Sequence, residues 1–292
     1  MAKYATTIAQ QISLLTSRGL TILNQVKAQE VLLDIGYYRL GFYLLPFENT
    51  YPKLNNRTHQ YIKGATFEDA VNLYYFDFDL RMTLMRYLNR IEIAFRTAMI
   101  YHLSNKYNND PVWFINPNVV NSSYAQAFEP TTYTADFKRN PVIARHHKLN
   151  PNDRFAPAWK TLEFMTFGAV LKLYDELKDN NDRIMIAQLF GVRQVVTFHS
   201  YMHTILNVRN ACAHGSLLYD LRLMRRLRKG PATPNSKYSG NIIGALKVVL
   251  YVMKHISANR SSELRMKIYQ LYSILCKKSA IIKPRIPDFS TI

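Results

Sequence analysis

Apolar residues recur every three or four positions along most of this chain, the spacing of amphipathic helices. The pattern predicts two short helices at 6–17 and 24–35, with "RGL" between them. The aromatic run "LLDIGYYRLGFYLLPFE", residues 32–48, predicts a helix and a turn, packed on the core through Tyr37, Tyr38, Phe42 and Tyr43. Residues 49–65 read as a polar loop. The longest helical pattern spans 66–105, with Leu84, Leu88, Ile91, Phe95 and Ala98 on one face. Forty residues is long for one helix, so a kink or break is expected. Residues 106–156 are rich in Asn, Pro and basic residues and read as a loop-like insertion. Helix resumes at 157–178, with Pro157 at its start and a junction at Gly168, then at 182–190, ended by Gly191. A helix at 193–214 follows, then the basic run "LRLMRRLRKG", a "PATPNSKYSG" linker, and helices at 241–256 and 260–278. No internal repeat is present. The pattern predicts an all-α fold, organised as an N-terminal helical and aromatic segment (1–65), a helical core (66–229) carrying the basic insertion, and a C-terminal helical extension (230–292).

Composition narrows the class. Of 292 residues, 48% are hydrophobic, enough for a sizeable core, and only 10 Gly and 12 Pro interrupt the helices. Two cysteines, Cys212 and Cys276, make no disulfide framework and no cysteine zinc site, which suits a reducing cytoplasm. No apolar stretch predicts a membrane span, and the first residues do not read as a signal peptide. The expectation is a soluble cytoplasmic protein with no cofactor. The net charge of +18 points to a polyanionic partner, and RNA or DNA fits best because phosphate neutralisation rewards spaced Lys and Arg. Most of the 20 tyrosines sit at helical spacing and are expected in the core rather than stacked on bases.

One helix concentrates the candidate chemistry. His199, His203, Asn207, Asn210 and His214 are spaced four, four, three and four, so they share a face. Short side chains that both donate and accept fit a sheltered groove better than open solvent. Arg209 lies beside this stripe, and Gly215 predicts a helix end just after His214. An imidazole near neutral pH can move the proton of a ribose 2′-hydroxyl, while a guanidinium stabilises charge building on the phosphate. Arg209, Asn210 and His214 are therefore the candidate catalytic group for metal-free RNA cleavage, with His203 and Asn207 lining the groove. An arginine followed by a histidine after four to six residues is a weak signal alone. The chain contains four such pairs: Arg96–His102, Arg139–His146, Arg193–His199 and Arg209–His214. Arg139–His146 falls in the insertion and is set aside. Glu92, Arg96 and His102 form a secondary candidate, although His102 continues the apolar row and reads more simply as a core histidine. Glu92 and Arg96, four apart, are expected to pair. Arg222, Arg225, Arg226, Arg228 and Lys229 form either a phosphate contact or an ordinary solvated helix face. His199 and His203 have the spacing of a zinc helix, but no third ligand is evident and no metal is expected.

Four segments carry a family resemblance: "IGYYRLGFYLLPF", "LYYFDFDLRMTLMRYLNRIEIAFRTAMIYHLS", "WKTLEFMTFGAVLKLYDEL" and "VRNACAH". Together they resemble the bacterial abortive-infection proteins of the AbiD and AbiF type, within the HEPN superfamily. The resemblance implies an all-α HEPN-like bundle with added N- and C-terminal helices. It also implies endoribonuclease activity in active members, here through Arg209, Asn210 and His214. A homodimer, phage defence through growth arrest, and a structured non-coding RNA acting like an antitoxin are implied as well. A catalytically inactive RNA-binding protein of the same fold is the alternative. After His214 this chain has "GSLLYD" where such proteins often continue with a second histidine, an arginine and an aromatic–Asn pair, so the contacts of that stretch differ.

Overall fold

The computed structural model describes residues 4–53, 55–233 and 237–292. Among these residues there are thirteen α-helices, and β-type pairing is limited to isolated bridges. The fold is all-α, as the periodicity predicts. The chain forms two compact units. One reaches to Thr83 and takes in Gly215–Leu221 and Arg265–Ile292; the other comprises Leu84–His214 and Arg222–Leu264.

The first unit opens with α1 (Ile8–Ser17), α2 (Gln25–Asp34) and α3 (Tyr37–Leu44). Thr7 and Gln10 make a reciprocal cap on α1, and the Asn24 side chain caps α2. In the aromatic run only Tyr43 of the four expected aromatics is buried; Tyr38 is 82% exposed and stacks edge-on against exposed Phe42 at 5.3 Å. The buried face belongs instead to Leu40, Tyr43, Leu44 and Phe47, which share one side of the helix and its short continuation.

Helix α4 (Phe67–Lys106) starts in this unit and is continuous over 40 residues, without the expected break. The reason lies in its composition: no Gly or Pro occurs between Phe67 and Lys106. Thr66 and Asp69 exchange hydrogen bonds at its start, Thr66 N–H to Asp69 Oδ2 (2.9 Å) and Asp69 N–H to Thr66 Oγ1 (3.1 Å). Its residue Asp77 is fully buried and fully bonded. It accepts from Tyr43 Oη (2.9 Å) and from the backbone N–H groups of Leu218 (3.0 Å) and Tyr219 (2.6 Å), and it pairs with Arg81. Arg81 also donates to the carbonyl of Ser216 (3.2 Å). Residues 216–219 are thus fastened by one buried ion pair.

In the second unit, α4 buries Leu84, Leu88, Ile91, Phe95, Met99 and Leu103. The row therefore ends on Met99 and Leu103, not on Ala98 and His102. Residues 106–156 are not loop-like. They contain α5 (Ser122–Thr131), α6 (Ala135–Lys138) and α7 (Pro141–Leu149) around an aromatic cluster. Phe114 and Phe128 rings lie 5.2 Å apart, and those of Tyr133 and Phe155 lie 5.1 Å apart. Such contacts bury large rings without needing one long periodic helix. Part of the segment's positive charge is paired locally, since Glu129 binds both Lys138 and Arg154 and Asp136 pairs with Arg139. The expected 157–178 helix is two helices, α8 (Ala158–Phe164) and α9 (Phe167–Asp175), broken at Met165–Thr166 where Thr166 caps α9. Then come α10 (Asn180–Leu189), α11 (Val195–Ala213), α12 (Ile242–Ile256) and α13 (Ala258–Lys278), whose last fourteen residues belong to the first unit.

Candidate functional site

Helix α11 is anchored by its apolar face. Phe198, Tyr201, Met202, Ile205, Val208, Ala211 and Cys212 are buried, at spacings of three and four. The opposite face carries the polar stripe. The helix ends at His214, whose backbone N–H donates to the carbonyl of Asn210 (2.9 Å). Gly215 then turns the chain with φ +65°, a conformation that costs a side-chain-bearing residue about 1 kcal/mol or more. The predicted stop is where the pattern placed it.

The carboxylate of Glu92 gathers the two arginines that the sequence put in separate motifs. Its Oε1 accepts from Arg96 Nη2 at 2.9 Å, and its Oε2 lies 3.4 Å from Arg209 Nε. Arg96 Nη2 also donates to the carbonyl of Met165 (2.9 Å). Arg209 Nη1 reaches Asn210 Oδ1 at 3.4 Å, a long contact. Glu92 and Arg96 are mostly buried, whereas the Arg209 side chain is 33% exposed. Because Glu92 engages Arg209 through Nε, the terminal nitrogens can still meet an incoming phosphate. Asn210 is half-buried beside it, and His214 is exposed at the helix end with no hydrogen bond from its ring to a described residue.

The other predicted residues are distributed differently. His102 does not join Arg96: it is half-buried beside the core row, with its ring edge-on to Tyr101 at 5.1 Å. Asn207 is exposed on α11. His203 is drawn to Asp175, with Nε2 2.9 Å from Oδ2, and His199 Nδ1 lies 2.7 Å from Oδ1 of the same carboxylate. The sequence showed no third partner for these two histidines because it comes from the end of α9. Arg222, Arg225, Arg226, Arg228 and Lys229 are all exposed, but they do not lie on a helix. Their segment is irregular and held by its backbone, with Leu223 N–H donating to Gly240 O (2.9 Å) and Leu227 N–H to Ser239 O (2.7 Å), while Leu227 is buried. Gly244 permits this layout: a Cβ there would come within 2.0 Å of the Tyr238 carbonyl. Arg228 N–H donates to Ser200 Oγ (3.1 Å), which fastens the basic strand of chain to α11. Lys229 and Arg193 line a cavity of about 480 Å³ beside the start of α11.

These features define an all-α protein with an arginine-, asparagine- and histidine-bearing helix terminus. The chain belongs to the Abi-like protein family, whose profile matches residues 30–220, nearly two thirds of its length. All four segments that carry the resemblance lie inside that span. No curated protein and no solved structure matches the chain. Membership points to phage defence by abortive infection. Among the described residues, no helix is long and apolar enough to cross a membrane.

Proposed function

We propose that this protein is a HEPN-type endoribonuclease acting in abortive infection, with Arg209, Asn210 and His214 as its catalytic group. The observation that carries the reading is the Glu92 junction. It holds Arg209 beside Asn210 on the last turns of α11 while leaving part of its guanidinium open to solvent. In this reading Arg209 binds the scissile phosphate and stabilises the charge of the transition state. His214 removes the 2′-hydroxyl proton or protonates the leaving 5′-oxygen, with water making the other proton transfer, and Asn210 orients Arg209 and the ribose. The 2′-oxygen attacks phosphorus and the P–O5′ bond breaks, giving a 2′,3′-cyclic phosphate and a 5′-hydroxyl. The exposed run from Arg222 to Lys229 supplies phosphate contacts along the RNA. In this reading a homodimer, as the family resemblance implies, brings a second copy of the motif to face His214, whose ring is exposed at the end of α11. The same feature supports the second reading, a non-catalytic protein in which Arg209 and His214 only grip a structured RNA.

End-labelled RNA incubated with the purified protein separates the two readings. Nuclease activity should persist in chelator, leave cyclic phosphate ends, and vanish in His214→Ala while RNA affinity changes little. Tight binding without any cleavage, in wild type freed of bound RNA, would support the second reading instead.

A further inference from the structure

Two histidines one turn apart on α11 converge with a carboxylate from a different helix. We propose that Asp175, His199 and His203 form a binding site for a single zinc-class divalent ion. The inference is independent of the RNase reading. One ligand atom from each residue can be chosen so that all three lie within 4.8 Å of one another. In the ion-free arrangement each carboxylate oxygen meets one imidazole nitrogen, at 2.7 Å and 2.9 Å. The two rings are 4.2 Å apart between centroids. Metal bonds of about 2.0–2.1 Å in a tetrahedron place ligand atoms about 3.3 Å apart, so the contact of the ligating carboxylate oxygen opens by about half an ångström and the wider separations, up to 4.8 Å, close by about 1.5 Å at most. The side chains can make that adjustment, since both histidines are 42% exposed and Asp175 is 25% exposed.

The donor set decides the class of ion. Two neutral imidazoles and one carboxylate suit borderline divalent ions such as Zn²⁺ better than Mg²⁺ or Ca²⁺, which take mostly oxygen. Three protein ligands leave a fourth position for water on the exposed side. The sequence between the histidines is Ser200-Tyr201-Met202, and Tyr201 and Met202 are buried in the core, so no carboxylate base follows the first histidine. The site therefore acts as a clamp between α9 and α11 rather than as a hydrolytic centre. His203 stands eleven residues before His214, about 16 Å along the helix axis. The ion would thus fix the helix that carries the candidate catalytic group without touching the phosphate.

The test uses the full chain, stripped with chelator and titrated with Co²⁺ as a visible probe. One equivalent should give a saturable absorption band of a four-coordinate site, and Zn²⁺ should abolish it by displacement. His199→Gln, His203→Gln and Asp175→Ala should each weaken binding by at least about a hundredfold, because losing a direct ligand costs more than losing an outer-shell partner. His255→Gln, a control on α12, should leave it intact. Zn²⁺ at a hundredfold excess over its Kd should raise the Tm of wild type by about 5 °C, and by none in the ligand variants. The proposal fails if no saturable band forms. It also fails if Asp175→Ala binds as well as wild type, which would reduce the site to an adventitious two-histidine chelate. The absorbance titration contains no RNA, so its outcome is separable from that of the nuclease assay.

Discussion

Replacing Glu92 with Gln keeps the side chain's shape but removes the charge that two arginines share. The consequence can be estimated from the contacts. Arg96 and Glu92 are 11% and 14% exposed and 2.9 Å apart, close to the buried limit, where losing one partner costs about 3–5 kcal/mol. The Met165 carbonyl remains as a partner for Arg96 and softens that loss. Arg209 is a third exposed and 3.4 Å away, so its share is within the 0–1 kcal/mol typical of solvated pairs. The expected total is about 2 kcal/mol, or a Tm lowered by roughly 4–8 °C. The assay is a thermal melt of Glu92→Gln, Arg96→Ala and the double variant. A coupling of about 1 kcal/mol between the two sites is expected, well outside the 0.3–0.5 kcal/mol within which independent sites add. Functionally, Glu92→Gln should bind RNA more tightly at low salt, since a guanidinium is released, yet cleave it more slowly, since Arg209 is no longer held. A Tm within 1 °C of wild type together with additive single effects would refute the junction as an energetic unit.

Two further outcomes are expected. Asp77→Asn leaves Arg81 buried without its counter-charge, and a loss of about 3–5 kcal/mol should lower the Tm by 6 °C or more in a calorimetric melt. Gly215→Ala forces a side chain into φ +65° and brings its Cβ to 3.0 Å from Arg39 Nη2, so stability should fall by about 1 kcal/mol or more while α11 helicity, read by circular dichroism, is retained.

Helix existence was largely legible from local pattern. The apolar spacing of α11 and the glycine after His214 place both its faces and its end, because helix period and a left-handed stop are local properties. The unbroken α4 is legible in its composition, since nothing between Phe67 and Lys106 can break a helix, whatever its length. Residues 106–156 are less legible because Asn and Pro are dense there, with Pro130 inside α5 itself, and because their core is an aromatic cluster assembled from several short helices. The local caps were nevertheless present, with Asn140 accepting from Val142 N–H and Pro141 opening α7. The basic run misled in the opposite sense: Leu223 and Leu227 are four apart, as in a helix, but their N–H groups are spent on Gly240 and Ser239.

The candidate site was legible residue by residue, not as an arrangement. Glu92 and Arg209 are far apart in sequence and meet only because α4 and α11 belong to the same core. Nothing local marks Glu92 as a partner of Arg209 rather than of Arg96 alone. Asp175 is not legible beside His199 and His203 for the same reason, since the carboxylate that meets the two histidines comes from another helix. His102 continues the apolar spacing through Ala98 but lies one position off the buried row, which shifts to Met99 and Leu103.

The most direct test of the central claim is a single-turnover cleavage assay on labelled RNA, run in chelator with wild type, Arg209→Ala and His214→Ala at matched saturation. The account expects 2′,3′-cyclic phosphate products from wild type and a loss of roughly 10²–10⁴ in rate for His214→Ala, with RNA affinity within about threefold. Equal rates for wild type and His214→Ala, or products without cyclic phosphate ends, would contradict it.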